Sequence, residues 1–256
     1  MKVVILAGGF GTRLAESTDL IPKPLVTIGN KPIIWHVMKI YAAAGFDDFI
    51  ICCGYKGQFI KSYFVNYFTE NYNLTVDLAK ITVEFHGEPA EKWKVTLIDT
   101  GLDTITGGRI KRIRPYVGSE TFCLTYGDGV ARLDIKEVVK FHHSHGRKAT
   151  VTAVPSPGRF GILDLRSSGE VSNFREKPAL EMGWINGGFF VCEPSIFDYL
   201  DNDGTSWEHG PLERLAADGQ LMAFRSTDFW KPMDTLRDKR ELDELWQGGN
   251  APWKTW

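Results

Sequence analysis

The sequence predicts an α/β fold in three layers, with helices on both sides of a mixed, mainly parallel sheet. Three observations carry that reading. Residues 3–7 (VVILA) form a continuous run rich in β-branched residues, the pattern of a strand buried on both faces. Through the first half of the chain such runs alternate with segments whose apolar residues recur at helical spacing. In the second half the texture changes to short strand-like runs separated by Gly, Pro and Ser turns. Alternation of strand and helix makes a parallel sheet with right-handed crossovers, a Rossmann-like core that the later strands extend. At 256 residues the chain suits one large α/β domain, since such units often run to about 250 residues.

The elements follow in order. After the first strand, residues 32–45 (PIIWHVMKIYAAAG) put Ile33, Ile34, Val37, Met38 and Tyr41 on one helical face, opened by Pro32 and closed by Gly45. A strand over 46–54 (FDDFIICCG) and an amphipathic helix over 58–68 (QFIKSYFVNYF) come next. A hairpin lies around 74–86, then a strand over 94–100 (KVTLIDT). The segment GGRIKRIRPYVG starts a helix whose interior ends at Pro115. Residues 121–129 (TFCLTYGDG) are a strand running into a loop, and 134–146 a helix closed by Gly146. In the second half ATVTAV, FGILDL, GEVSNFREK and WINGGFFVC read as strands, EPSIFDYL and WEHGPLERLAADG as helices. LMAFRS and FWKP are strands, and TLRDKRELDELW is the last helix. No linker, low-complexity stretch or internal repeat interrupts this, so residues 1–256 form a single two-lobed domain, the later strands adding a lid.

Composition limits the partners. Thirty Lys and Arg against 32 Asp and Glu leave no basic surplus for nucleic acid, so any anion site must be local. The longest apolar runs fall far short of a membrane span. MKVVILAGG has the order of a signal peptide, but its apolar part is too short and leads straight into a glycine turn. Cys52, Cys53, Cys123 and Cys192 all sit in apolar, strand-like runs, which predicts buried reduced thiols in a cytoplasmic protein.

The first place to look for a ligand is the turn after the first strand, because parallel sheets bind ligands at the carboxyl ends of their strands. There Gly8, Gly9 and Gly11 let backbone N–H groups approach an anion or a base. Leu14 stands where the dinucleotide fingerprint needs its third glycine, and the phosphate-loop pattern GxxxxGK[ST] is absent. Within ten residues comes IPKPLVTIGNKPII, in which Pro22 and Pro24 hold Lys23 in a stiff, extended segment. Arg13 and Lys23 beside a glycine turn outline a polyphosphate site.

LAGGFGTRL followed by PKPLVTIGNKPII resembles the sugar-nucleotide pyrophosphorylases, nucleotidyltransferases that act on sugar 1-phosphates. ICCGYKG, DTGLDTITGGRIKR, TYGDGV, SPGRFG, EKP, INGGFF, WKPMDTLRDK and APWKTW narrow the match to the cytidylyltransferase branch, over nearly the whole chain. The resemblance implies a GT-A-like nucleotidyltransferase fold with a nucleotide-binding half (about 1–150), a sugar-binding half (about 151–235) and a C-terminal helix and tail. It implies CTP and glucose 1-phosphate as substrates, Mg²⁺ as cofactor, a homo-oligomer, and a product on the way to CDP-linked dideoxyhexoses of surface polysaccharide such as O-antigen. Ile21 departs from the branch, which often carries a lysine two residues before Lys23.

Site residues follow from the same resemblance. Leu6, Ala7, Gly8, Gly9, Phe10, Gly11, Thr12 and Arg13 line the nucleotide, with Lys23, Gly127 and Asp128. The loop bearing Thr104, Gly108 and Arg109 closes on it, its glycine pair opening a helix whose N-terminus favours anions or base carbonyls. Asp128 and Asp234 hold one Mg²⁺, for which two carboxylates plus phosphate oxygens and waters are suitable ligands. Read alone, Asp234 is sooner an N-cap of the last helix, and it is the resemblance that makes it a metal ligand. Glu176, Lys177, Asn186 and Gly187 form the sugar-phosphate site, although Gly187–Gly188 also suits close strand packing. His142, His143 and His145 point to different faces and read as surface or helix-end residues rather than a zinc site. The tryptophans read as core or interface, FWKP and APWKTW suiting an interface between copies.

The implied reaction is in-line attack of the sugar phosphate on the α-phosphorus of CTP, with Arg13 on the departing pyrophosphate, Lys23 on the α-phosphate and Lys177 on the sugar phosphate. Three alternatives stand beside it: a thymidylyl- or uridylyltransferase on the same scaffold, a non-catalytic sugar-nucleotide sensor, and a glycosyltransferase. The sensor would be expected to lose Arg13, Lys23 or an aspartate, and the glycosyltransferase wants a DxD that YGDG lacks.

Overall fold

The computed structural model describes residues 1–11, 20–156 and 183–256 in full, and the backbone of 162–165 and 171–175. Thr12, Arg13, Glu176 and Lys177 lie outside the described residues.

The chain runs β1 (Val3–Leu6), β2 (Thr27–Ile28), β3 (Lys31–Pro32), α1 (Ile33–Ala43), β4 (Asp48–Cys53), α2 (Gly57–Val65), α3 (Tyr67–Asn71), β5 (Asn73–Asp77), β6 (Thr82–His86), β7 (Lys94–Asp99), α4 (Thr106–Arg112) and α5 (Arg114–Val117). It continues β8 (Phe122–Tyr126), β9 (Gly129–Ala131), α6 (Ile135–His145), β10 (Ala149–Pro155), β11 (Ile162–Leu165), β12 (Val171–Arg175), β13 (Trp184–Cys192), α7 (Pro211–Ala217), β14 (Leu221–Arg225), β15 (Trp230–Pro232) and α8 (Leu236–Gln247). Seven strands form one sheet in the order β14-β10-β13-β8-β1-β4-β7. β1 pairs in parallel with both β4 and β8, while β13 runs antiparallel to its neighbours β8 and β10. The sheet is therefore mixed and mainly parallel, as the alternation predicts.

Its three layers are visible in β1 itself. Val3 and Ile5 pack with Ile33, Val37 and Met38 of α1 on one face. Val4 and Leu6 pack with Ile110 of α4, Ile113 and Trp207 on the other. Successive side chains point to opposite faces, so an unbroken apolar run is what two covered faces demand.

Several segments differ from expectation. The helix predicted over 58–68 breaks at Asn66 into α2 and α3. Residues 207–219 are helical only from Pro211, because Gly210 holds a left-handed φ of 100° and Pro211 opens the first turn. Residues 194–199 form a 3₁₀ turn. Of FWKP and APWKTW, expected at an interface, Ala251 and Trp253 are buried within the chain, while Phe229 to Pro232 are half-buried and Lys254 and Thr255 exposed. Trp253 is fully buried and stacks on Phe229 at 5.6 Å and on Trp246 at 6.3 Å.

His142 also departs from the surface reading. It is buried, its Nδ1 lies 2.9 Å from Thr150 Oγ1 and its Nε2 lies 3.1 Å from Glu193 Oε1. The Thr150 hydroxyl also meets His145 Nε2 at 2.7 Å, so α6 is fastened to β10 by two histidines on one face. Among the described residues no cluster of three or more His, Cys, Asp or Glu could hold a metal. The four cysteines are buried and free, as expected, and no described helix is long and apolar enough to cross a membrane.

Candidate active site

The glycine turn is built at the carboxyl end of β1. The Ala7 N–H donates to Cys52 O at 3.1 Å and the Gly127 N–H to Leu6 O at 2.9 Å, which tie the turn to both neighbouring strands. Gly8 is buried against the guanidinium of Arg109, and a Cβ there would collide with it. Close approach, more than freedom of φ, is what demands glycine at this position. Gly9 has open space where a side chain would go and Phe10 is half exposed, its ring tilted against Tyr55 at 5.0 Å.

Arg109 does more for the loops than its place in the sequence suggests. Its Nη1 donates to Thr100 Oγ1 and Gly101 O, both at 2.7 Å, and to Cys53 O at 3.3 Å. Its Nη2 donates to Gly8 O at 2.9 Å and Leu102 O at 3.3 Å. Burial pushes its pKa down, and the neutral acceptors leave it fixed. The side chain lines the cavity while clamping the turns after β1, β4 and β7 together.

Gly107 and Gly108 have an equally specific duty. A Cβ on Gly107 would lie 2.6 Å from Thr205 O, and one on Gly108 2.5 Å from Asp203 O. Two of the four N–H groups that a helix start leaves open are taken by the chain itself: Ile105 N–H donates to Asp203 O at 3.0 Å and Gly108 N–H to Thr205 O at 3.1 Å. The glycine pair therefore admits the backbone of 203–205, a duty that sequence reasoning did not assign to it. Arg112 fastens the same loop through Asp203, Nε to Oδ1 2.9 Å.

Lys23 opens a 3₁₀ turn, Lys23–Leu25, closed by Leu25 N–H to Pro22 O at 2.8 Å. The extended conformation expected at Lys23 is found instead at Pro22 and Val26, on either side of the turn. The turn directs the ammonium inward, where Nζ lies 2.5 Å from Asp128 Oδ2 and 2.8 Å from Asp234 Oδ1. Burial works against the charge, but the two carboxylates outweigh it and hold the Lys23 pKa above its ordinary value.

Strand pairing brings the two aspartates together. β15 pairs with β9 in antiparallel register, Pro232 opposite Gly129, and Met233 N–H donates to Asp128 O at 2.8 Å. Asp234 is not the cap of α8. Thr235 is, accepting from Asp238 N–H at 3.2 Å, with Asp238 reaching back to Thr235 N–H at 2.9 Å. That leaves an Asp234 oxygen directed at Lys23.

Two cavities meet here. One of about 510 Å³ is lined by Leu6, Ala7, Gly8, Gly9, Phe10, Gly11, Lys23, Thr104, Arg109, Gly127 and Asp128, together with Tyr126, Ser206 and Glu208. The other, of about 360 Å³, is lined by Asp128, Asp234, Asn186 and Gly187, together with Tyr126, Glu208 and Trp230. Asp128, Tyr126 and Glu208 form the wall between them. The structure thus assembles the described residues predicted for the nucleotide side, Gly108 excepted, and the described sugar-side residues next door.

Sequence reasoning missed Tyr126 and Glu208. Tyr126 lies within TYGDG, but Glu208 falls in a segment that reads as a helix and carries no motif. Its carboxylate accepts from Tyr126 O–H at 2.5 Å, Thr106 Oγ1 at 2.6 Å and Ser206 Oγ at 2.8 Å. Burial alone would raise its pKa, yet these donors bring it below the ordinary range.

Comparison with known proteins gives the family. The nucleotidyl transferase family model matches residues 2–233. The chain is 57% identical to glucose-1-phosphate cytidylyltransferase of Salmonella typhimurium over 257 residues, all of both chains. It is 46% identical, again over all of both chains, to the probable glucose-1-phosphate cytidylyltransferase of Bacillus subtilis. Among solved structures, HddC from Yersinia pseudotuberculosis superposes with a TM-score of 0.71 at 24% identity, over 96% of this chain and 99% of that one, a likeness of fold. On these sequence matches the chain belongs to the nucleotidyl transferase family, among the glucose-1-phosphate cytidylyltransferases.

Proposed function

We propose that the chain transfers the cytidylyl group of CTP to α-D-glucose 1-phosphate, giving CDP-glucose and pyrophosphate. The observation that carries this is the convergence of Lys23, Asp128 and Asp234 where the two cavities meet. A nucleotide in the cavity of the glycine turn and a sugar phosphate in its neighbour would face each other across Asp128. Relatives at 57% and 46% identity over the full chain carry this activity in their names.

The attacking oxygen belongs to a phosphate that is already anionic near neutral pH, so no general base is required. The work left to the protein is to bring two polyanions together and to meet the charge of the transferring group. Lys23 supplies a fixed cation for the α-phosphate. Arg109 keeps the Gly8 carbonyl and the turn around it in place. Arg13 on the pyrophosphate, Lys177 on the sugar phosphate and Glu176 on the sugar complete the reading by resemblance.

Asp128 and Asp234 are suited to Mg²⁺. Their carboxylate oxygens already converge on one cationic atom, Lys23 Nζ, and a set of hard oxygen donors is what Mg²⁺ selects. When bound, the ion would offset the negative charge of the phosphates.

The test is pyrophosphate release from glucose 1-phosphate with CTP, UTP, dTTP and GTP in parallel. Release with CTP is expected, and release with dTTP or UTP but not CTP would overturn the substrate assignment. A cytoplasmic location and use of the product in surface polysaccharide belong to the same reading. Association of copies is also part of it, with the exposed Leu78 and Ile81 at the tip of the β5–β6 hairpin a better apolar contact than Trp253, which is buried within the chain. Sedimentation of the chain with Leu78→Ser and Ile81→Ser tests that.

A further inference from the structure

We infer that Tyr126, oriented by Glu208, is a specificity-determining contact for one hydroxyl of the hexose phosphate, working side by side with Asn186. The inference rests on the function proposed above. Tyr126 ends β8 and lines both cavities. Its single phenolic proton is committed to Glu208 Oε1 at 2.5 Å, so the Tyr126 oxygen has only lone pairs to offer a ligand. Asn186 is oriented just as firmly. Its Oδ1 accepts from Gly188 N–H at 2.8 Å, which turns the amide NH₂ toward Tyr126, with Nδ2 3.5 Å from the phenolic oxygen. The wall of the smaller cavity therefore carries an acceptor and a donor next to each other.

That pair matches a sugar hydroxyl, which donates one proton and accepts another. It does not match a phosphate oxygen, which only accepts. Glu208 is the positioning residue. Its other contacts, Thr106 at the start of α4 and Ser206, both donate to Oε2 and hold the carboxylate in one place with Oε1 toward Tyr126. A carboxylate accepts from every side, so it cannot present a proton to Tyr126 while it is ionised, and the phenol cannot turn its own proton toward the sugar without losing a short bond. The polarity of the Tyr126 contact is thereby fixed. The position of Glu208 in turn depends on the 203–205 backbone seated on Gly107 and Gly108.

The experiment compares glucose 1-phosphate with its 2-, 3-, 4- and 6-deoxy analogues in the parent protein, Tyr126→Phe and Glu208→Gln. With the parent, one deoxy analogue is expected to lose tenfold or more in kcat/KM. In Tyr126→Phe that analogue should come within about twofold of glucose 1-phosphate, because the group that read the hydroxyl is gone. In Glu208→Gln the difference should narrow without vanishing, since the amide can donate to the phenol, reverse its polarity and leave the sugar hydroxyl facing two donors with no acceptor for its own proton. Tyr126→Phe keeps the ring that packs on Phe190, and thermal unfolding of each variant guards against a folding defect. An unchanged pattern of losses across the analogues in both variants overturns the inference alone. Failure of the parent to turn over CTP and glucose 1-phosphate overturns the functional reading, and the inference with it.

Discussion

The Lys23 ammonium lies 2.5 Å from Asp128 Oδ2, joining the turn after β1 to the loop after β8 across 105 positions of chain. With Asp234 on its other side, the lysine is also what allows two carboxylates to stand close together. Lys23→Met should lower the rate of pyrophosphate release by about 10²–10³-fold, the usual size for a charged group aimed at the transferring phosphate. Turnover within threefold of the parent would remove Lys23 from the site. The raised pKa sets the alkaline limit. The ion pair contributes in full below the ordinary value of 10.5 and is lost only as the pH rises through the higher folded value.

Arg109 holds three loops through five bonds to neutral oxygens. A lysine keeps the charge but has three donors on a flexible stem, against a planar fork. Arg109→Lys is expected to cost about 2 kcal/mol, read as a lowered urea midpoint, and to weaken CTP binding as Gly8 loses its anchor. A variant with unchanged midpoint and unchanged affinity would show that the clamp is not needed.

Much of this arrangement was legible in the chain. Three-layer burial follows from an unbroken VVILA, and the residues of the glycine turn, Lys23, Asp128 and Asp234 were all marked by local composition or resemblance. What was not legible depends on long-range pairing. Nothing in TGGR says that its glycines admit the 203–205 backbone, since the loop that needs the space is about a hundred residues away. Glu208 was hidden for the same reason, its three hydroxyl partners coming from α4, β8 and its own loop. The aromatic tail misled in the opposite direction. Aromatics suit an interface or a core equally, and only the cleft beside Phe229 and Trp246 decides that Trp253 is core.

Stability should fall on mild acidification because of His36. The ring is fully buried, Nε2 donating to Ile28 O at 3.0 Å, and burial lowers its pKa to about 4. A histidine kept neutral by folding contributes in full above about 6.5, and the contribution is lost as the pH falls from there toward 4, because the unfolded chain takes the proton first. Between pH 8 and pH 5 the loss is about 2 kcal/mol for this residue, and the lowered values of His142 and His145 act in the same direction. Urea midpoints at the two pH values check this. His36→Gln, which cannot titrate, should show a distinctly smaller difference, and an identical difference would rule His36 out as its source.

Gly108→Ala tests whether the seat of the 203–205 loop matters to the site. The new methyl would sit 2.5 Å from Asp203 O and 2.6 Å from its Cα, backbone atoms that cannot turn aside as a side chain can. Either α4 or the loop must move, and overpacking of this kind costs about 1–3 kcal/mol. The ion pair of Arg112 with Asp203 and the bond from Thr106 Oγ1 to Glu208 span the same contact, so the shift is passed to the wall between the two cavities. The expected result is a lowered unfolding midpoint together with raised KM values for both CTP and the sugar phosphate. Gly87→Ala is the control, a glycine of left-handed φ with open space around it, which should lower the midpoint through backbone strain alone and leave both KM values in place. If Gly108→Ala shifts the midpoint but neither KM, the loop is a structural support whose position the substrates do not read.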